Sequence, residues 1–203
     1  SWSKLTGNNL VSVTTTEGVI EAVVEKGNAN ICSMPDSAGE KPAICAPDNG
    51  ATMVVFSNDL DKALASFVLA NGAAASGKQV TMFFTFWGLS VLRKKNAPPV
   101  KKDFMGKMFS SMLPKGMDKL GLSSMNMGGL GAKMMKSRMK KKHVDQVTQM
   151  FLDAKSSGVR MVACQMSMDI MGITKEELLD GVEVGGVATY MGAASGSKVN
   201  LFI

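Results

Sequence analysis

The sequence predicts an α/β fold in which a parallel sheet is covered by helices on both faces. Two observations lead to this prediction. Continuous apolar runs of strand length recur along the chain, as in strands buried on both faces, and segments with helical apolar spacing separate most of them. The most apolar run, residues 80–87, is far shorter than the roughly 18 residues that a membrane span needs. A hydrophobic content of 45% with 20% charged residues is typical of a globular chain with a full core.

The chain is predicted to begin with a hairpin and a linker. Residues 10–16 and 19–26 alternate between apolar and polar side chains, and Glu17 with Gly18 makes a tight turn between them. Residues 28–50 contain three prolines and several small polar residues, a composition typical of a linker.

The sheet domain has clear helix and strand signals. Residues 51–57 form a buried strand, and Asp59 caps a helix that runs to about Ser76, where Gly77 ends it. The later elements are a strand, a helical turn, two helices, a third parallel strand, a short helix, a strand, a helix and a terminal strand, at residues 79–86, 88–94, 133–142, 144–157, 159–163, 175–179, 182–184, 185–194 and 199–203. Thr174 and Glu177 have the spacing of a capping box before the short helix.

The charge of the chain is unevenly distributed. Residues 93–142, the basic segment, hold 14 Lys and Arg against two Asp and carry +12, whereas the rest holds 9 against 15 and carries −6. The basic segment also holds nine of the 18 methionines. This pattern favours an adaptable partner surface or a solvated insertion over an anionic membrane surface. Nucleic-acid binding is not expected, because Phe104 and Phe109 are the segment's only aromatic residues and no nucleic-acid motif accompanies them.

Cysteine and histidine usage excludes several kinds of site. The three cysteines, Cys32, Cys45 and Cys164, are an odd and sparse set, which indicates a reducing compartment, the cytoplasm, rather than a disulfide scaffold. The single histidine, His143, follows three lysines and reads as a solvated helix start. We therefore expect no metal site, no cofactor and no histidine-based triad.

Cys164 is the most informative residue. It closes an apolar strand at residues 158–164, and residues 165–172 begin a helix. The carboxyl ends of parallel strands are where α/β sheets place their chemistry, and the N–H groups of a helix start favour the thiolate form. The alternative is that Cys164 is a small buried hydrophobic residue.

Residues 51–203 resemble the DsrE/DsrF-like family of sulfur-relay proteins. The matching stretches are Asn58-Asp-Leu-Asp-Lys-Ala-Leu-Ala-Ser-Phe67, Thr81-Met-Phe-Phe-Thr-Phe-Trp-Gly88, Leu122-Ser-Ser-Met-Asn-Met-Gly128, Ala163-Cys-Gln-Met-Ser-Met-Asp-Ile-Met-Gly172 and Asn200-Leu-Phe-Ile203. The resemblance implies a three-layer α/β/α sandwich with a five-strand, mainly parallel sheet. In related subunits the sulfur-carrying cysteine follows a Gly-Val strand and opens a helix, which is the position of Cys164.

Residues 1–27 resemble the second half of a TusA-like sulfur-carrier domain. Trp2, the turn at residues 6–10, the hairpin and Lys26 match its last helix end and last two strands. The half that holds this family's Cys-Pro-x-Pro motif is missing, so no donor cysteine is carried over and a larger parent chain is expected. The expected organisation is a partial carrier module at 1–27, a linker at 28–50 and a DsrE-like domain at 51–203, with an insertion at 93–142.

The resemblance implies a function and a site. Cys164 is expected to carry sulfane sulfur as a persulfide between a donor and an acceptor protein, such as a TusA-like carrier or a rhodanese, in a homo-oligomer. The N–H groups of Met166 and Ser167 are expected to stabilise the anion. The surrounding pocket is expected to include strand-end residues, a lid and a glycine pair: Asn58, Trp87, Met125, Asn126, Gly185 and Gly186. Core packing is the alternative for Trp87, and a tight turn is the alternative for the glycine pair.

Two other functions stay open at this stage. The domain is alternatively a non-catalytic scaffold that docks sulfur-handling partners or a membrane surface through the basic segment, and it would then tolerate Cys164→Ser. A redox enzyme with a Cys164–Cys45 disulfide is the third option. Peroxidase activity is not expected, because the Thr, Pro and Arg residues that surround a peroxidatic cysteine are not visible around Cys164.

Overall fold

The computed structural model describes residues 9–16, 19–25, 49–98, 100, 106, 108 and 111–203. The chain divides into two compact units, Ser1–Pro42 and Ala43–Ile203. In the first unit, β1 (Asn9–Thr16) and β2 (Val19–Glu25) pair antiparallel. The predicted hairpin is therefore confirmed. Its turn at residues 17–18, most of the linker, and Cys32 and Cys45 lie outside the described residues.

The second unit is built on one five-strand sheet. Its strands are β3 (Gly50–Val55), β4 (Gln79–Phe84), β5 (Arg160–Cys164), β6 (Glu183–Gly185) and β7 (Ser197–Phe202). They lie in the order β6-β5-β4-β3-β7, and every neighbouring pair is parallel. The predicted five-strand, mainly parallel sheet is confirmed. All its strands have their carboxyl ends at one edge, which is where sheets of this kind bind ligands.

The described part of the second unit also holds five complete α-helices. They are α1 (Leu60–Ala75), α2 (Leu130–Lys141), α3 (Val147–Ser156), α4 (Gln165–Met171) and α5 (Val187–Ser195). Short 3-10 segments lie at Phe86–Leu92, Met117–Lys119, Met127–Gly129 and Lys175–Glu177.

Three local predictions need correction. The short helix predicted at 175–179 is a single 3-10 turn, although Glu177 does accept the N–H of Thr174 at 3.0 Å as a capping box requires. Gly185 belongs to β6 rather than to the following helix, because its backbone completes the ladder with β5. Asp59 stands at the N-cap of α1 without a side-chain capping bond, since its carboxylate pairs with Lys62 at 3.0 Å.

The larger part of the core lies on the sheet face that α1 and α3 cover. Phe67 of α1 sits at its centre, with its ring centroid 6.3 Å from that of Phe84 in β4 and 6.1 Å from that of Phe151 in α3. Because side chains alternate along a strand, the same face takes Met82 and Met161 from the middle of the sheet. This layer fixes the positions of β4 and β5, and with them the carboxyl edge.

The described part of the basic segment is packed onto this unit. Arg93, its first residue, is buried and pairs with the buried Glu177 at 3.0 Å. Further along, Leu120 and Met139 are buried. The backbone N–H of Leu60 donates to Gly121 O at 2.6 Å, which ties the segment to the start of α1. None of the helices in the described ranges combines the length and apolarity needed to cross a membrane.

Candidate functional site

Cys164 is the last residue of β5, and α4 begins at the next residue. It occupies the N-cap position of α4 with extended backbone angles, φ −70° and ψ 114°. Apolar residues carry the chain along β5 to this point, and the parallel ladder ends where Cys164 pairs with Gly185 of β6. The thiol therefore stands at the carboxyl edge of the sheet.

The sulfur of Cys164 is covered. The residue is 2% exposed and packs in a small cluster with Phe83 and Val162. Strand alternation puts Cys164 and Val162 on the same face, the one opposite Met161 and the main core. Tyr190 of α5 packs against this cluster, with its ring centroid 5.3 Å from that of Phe83. In this structure Cys164 therefore has the buried, apolar surroundings that the alternative, a small buried hydrophobic residue, predicts.

The start of α4 is held by a bond between two hydroxyl groups. Cys164 makes no side-chain capping bond to α4, so the sulfur does not take the N–H groups of Met166 and Ser167 in this conformation. Ser167 is fully buried, and its hydroxyl hydrogen-bonds the hydroxyl of Thr85 at 2.8 Å. Because Thr85 directly follows β4, this bond fixes α4 against the neighbouring strand end.

Trp87 projects outward from the turn that follows β4. It is 44% exposed, so core packing does not describe it. The turn is tight: the N–H of Gly88 donates to Phe56 O at 2.7 Å and to Thr85 O at 3.0 Å, and Phe86 has a φ of +46°. A positive φ at a bulky residue marks local backbone strain. The strained turn holds an exposed aromatic side chain at the same edge as Cys164.

Three phenylalanines extend this edge and were not singled out by the sequence pattern. The ring of Phe56 lies 5.6 Å from that of Phe86 and stacks on Phe202 at 5.8 Å. Phe202 is largely exposed at the end of β7. They were missed because each follows or closes a separate apolar strand, where aromatic residues are ordinary.

The predicted lid residues lie in a loop that is tied to α1. The side chain of Asn126 accepts the N–H of Leu122 at 3.2 Å, so this amide holds its own loop together. Met125 is strongly exposed and has a φ of +58°. Asp61 anchors the loop by accepting the N–H of Ser123 at 2.9 Å and also its hydroxyl. A lid role for Met125 and Asn126 stays a prediction.

Asn58 and the two glycines take different places around the edge. Asn58 is half-buried between β3 and α1. Gly185 lies in β6 beside Cys164, where an added Cβ would stand 3.0 Å from Thr189 Oγ1 and from Val162 Cγ1. Gly186 is exposed at the N-cap of α5. The glycine pair thus brings the first turn of α5 close to the strand that ends in Cys164.

The basic segment forms an open, positively charged cleft. The cleft measures about 590 Å³ and is lined by Lys119, Lys133 and Lys136 together with Asn126. Lys136 donates to the backbone oxygen of Asp118 at 2.6 Å. Within the described ranges, no group of three or more His, Cys, Asp or Glu side chains could hold a metal ion.

Comparison with known proteins identifies the family. The model of the DsrE/DsrF/DrsH-like family matches residues 48–202. The uncharacterized protein YrkE of Bacillus subtilis is 51% identical over 152 residues, which span 75% of this chain and 95% of that protein. The sulfur carrier protein DsrE2 of Allochromatium vinosum is 38% identical over 155 residues, 74% of this chain and 96% of that protein.

A solved structure is also similar. The crystal structure of the ychN protein from E. coli covers 76% of this chain and 99% of its own, with a TM-score of 0.44 and 11% identity. On the sequence matches over residues 48–202, this chain belongs to the DsrE/DsrF/DrsH-like family.

Proposed function

We propose that this protein carries sulfane sulfur as a persulfide on Cys164 and passes it between thiols of partner proteins. The observation that carries the proposal is the position of Cys164 at the carboxyl end of β5, directly before α4. The family and the relative named as a sulfur carrier support the same role. This makes the protein a sulfurtransferase in the sense of a carrier.

The proposed loading step is an exchange at sulfur. The thiolate of Cys164 attacks the outer sulfur of a donor persulfide, R–S–SH. A new S–S bond forms as the donor's S–S bond breaks, and the donor leaves as the thiolate R–S⁻. The products are Cys164–S–SH and a reduced donor, so no external oxidant or reductant is needed. An acceptor thiolate then takes the outer sulfur by the same reaction.

Such exchange needs a thiolate that can be reached more than it needs a general base. This fits a site without a neighbouring histidine, since His143 is exposed in the loop after α2. The apolar cover over Cys164 serves storage, because oxidation of a sulfur species follows its exposure. The hydrogen bond between the hydroxyl groups of Thr85 and Ser167 holds α4 against the end of β4 beside the thiol.

Donor and acceptor proteins are the proposed partners, with a TusA-like carrier and a rhodanese as the expected classes. Trp87 and Met166 are exposed on the elements that flank Cys164, and aromatic and methionine side chains are enriched where proteins meet. We propose this flank as the docking side, and assembly into a homo-oligomer as the working state.

The relay is tested by intact mass in a chain whose other cysteines are replaced, Cys32→Ser/Cys45→Ser. After incubation with polysulfide, we expect a gain of one sulfur, about 32 Da, that dithiothreitol removes and an added acceptor thiol takes up. Adding Cys164→Ser should abolish the gain. No gain, or an equal gain without Cys164, would overturn the relay.

The second candidate function is a non-catalytic scaffold that docks sulfur-handling partner proteins or a membrane surface through the basic segment. Its support is the exposure of Met125, Met127 and Met134 beside the lysine-lined cleft, since flexible methionines suit adaptable surfaces. Cys164→Ser separates the two functions. A scaffold keeps its partner in a pull-down when Cys164 is replaced, whereas a relay loses sulfur transfer.

A further inference from the structure

A relay cysteine has to meet the thiol of another protein, yet Cys164 is 2% exposed. Within the sheet, Cys164 pairs with Gly185 of β6, and the ladder between β4 and β5 reaches Ala163, the residue before it. From outside the sheet, Tyr190 of α5 packs against the cluster of Phe83, Val162 and Cys164. Access to the sulfur therefore requires one of the covering elements to move.

The helix that carries Tyr190 is weakly held. Among the nine residues of α5, Ala193 is the one buried side chain. Val187 and Met191 point apolar surface toward solvent. A nine-residue helix is marginal by itself, and Gly192 inside it lowers its stability further. Elements with few buried apolar contacts are the ones that open locally.

The other element beside Cys164 is held more firmly. In α4 the side chains of Met168 and Met171 are buried, and Ser167 is bonded to Thr85 at 2.8 Å. Opening α4 would break that buried bond and expose both methionines. Opening α5 exposes Ala193 and uncovers Phe83 and Val162 beside the sulfur, but among the described residues α5 contributes no buried side-chain hydrogen bond. The route to the sulfur that breaks no buried side-chain hydrogen bond thus runs through α5.

We propose that α5 is a gate over Cys164 and that Tyr190 is the residue that closes it. Gly185 and Gly186 lie at the amino end of α5 and Gly196 at its carboxyl end, so the backbone at both ends adapts when the helix opens. Opening is local: α5 loosens while the sheet and the α1 side stay folded. The inference rests on the proposed relay only for its purpose, which is to admit a partner thiol.

The gate is tested by the rate at which a small disulfide reagent, 5,5′-dithiobis(2-nitrobenzoate), labels Cys164 in the native Cys32→Ser/Cys45→Ser chain. Tyr190→Ala should raise the rate by about tenfold or more, because it removes an aromatic pair from the closed state. Tyr190→Phe keeps the ring and should stay within about twofold of the parent. Met191→Ala, one residue on and exposed, is the matched control and should also leave the rate unchanged.

Urea distinguishes local opening from global unfolding. At low urea, the labelling rate should rise with a shallower slope than the global unfolding equilibrium measured by circular dichroism, because a gate exposes less surface than the whole domain. Equal slopes and equal free energies would overturn the gate, as would a Tyr190→Ala rate that matches the parent once global stability is taken into account.

Hydrogen exchange on the parent chain gives a readout that needs no variant. The amides of α5 should exchange faster than those of β5 and α4, and equal protection would contradict the gate. None of these measurements involves sulfane sulfur. If Cys164 is labelled as predicted but the chain gains no sulfur, the gate is supported and the relay is refuted. If the chain gains sulfur but the labelling and exchange predictions fail, the relay is supported and the gate is refuted.

Discussion

The two faces of the sheet are covered very differently. On one face, α1 alone buries five side chains, and α3 packs beside it through Phe151. On the other face, α5 buries one. Cys164 points to the second face. The comparison teaches that the fold is stabilised mainly from one side, while the candidate thiol lies under the more thinly covered side.

The largest loss of stability is expected from Phe67→Ala on the well-covered face. Phe67 is fully buried between Phe84 and Phe151, and truncating a buried aromatic residue usually costs about 3–5 kcal/mol. Urea unfolding should show a loss of that size in the free energy of unfolding. A loss below about 1 kcal/mol would mean that the α1 side is not the main source of stability.

A smaller loss of stability is expected from changes at the carboxyl edge of the sheet. Ser167→Ala leaves the buried hydroxyl of Thr85 without its partner, which should cost about 1–3 kcal/mol. Thr85→Val should cost a similar amount. The double variant should cost less than the sum, because the second change removes the orphaned group. Strict additivity in denaturant unfolding would show that the bond contributes nothing.

Acid should weaken the α1 side through Asp61. Burial raises the pKa of this carboxyl, but the hydrogen bonds from Ser123, its own backbone N–H and the charge of Lys62 together lower it more, so its pKa in the fold lies below the ordinary 3.8. The ionised form is thus favoured by folding. Its contribution is complete above pH 3.8 and is lost as the pH falls from there through the folded pKa.

Asp61→Asn removes this titration. Stability curves of the parent and of Asp61→Asn should therefore converge as the pH falls below 3.8. A constant difference between them across that range would contradict the assigned cause. The measurement is thermal unfolding at a series of pH values.

The smallest effect is expected on the thinly covered face. Val187 is exposed on α5, and substitutions of exposed residues usually change stability by less than about 0.5 kcal/mol. Val187→Ala should leave the unfolding midpoint almost unchanged. A loss as large as that of Phe67→Ala would mean that α5 is firmly packed, and the contrast between the faces would be lost.

The sequence was sufficient for the sheet but less so for its ends. Apolar runs such as residues 79–86 located the strands well, because burial on both faces leaves a pattern that survives without tertiary information. The turn at Phe86 and the 3-10 form of Lys175–Glu177 were not predictable, since they depend on bonds to distant parts of the chain. The carrier-module resemblance of residues 1–27 stays a prediction.

For the site, the strand-end position of Cys164 was predictable and its cover was not. The position of Cys164 could be predicted because the strand pattern of residues 158–164 is directly followed by a helix start. The cover depends on Tyr190, 26 residues further on, and on Phe83, 81 residues earlier. No local pattern links these three residues. Ser167 was predicted for its backbone N–H, whereas the structure uses its hydroxyl on Thr85.

Gly88 affects how the results of mutagenesis near the carboxyl edge should be interpreted. An added Cβ at this position would collide with the carbonyl oxygen of Val55, so a larger residue would force apart the ends of β3 and β4. A saturation mutagenesis screen would find position 88 intolerant of substitution for a steric reason and not a chemical one. Intolerance near this edge identifies a functional residue only when the backbone has room for the substitution.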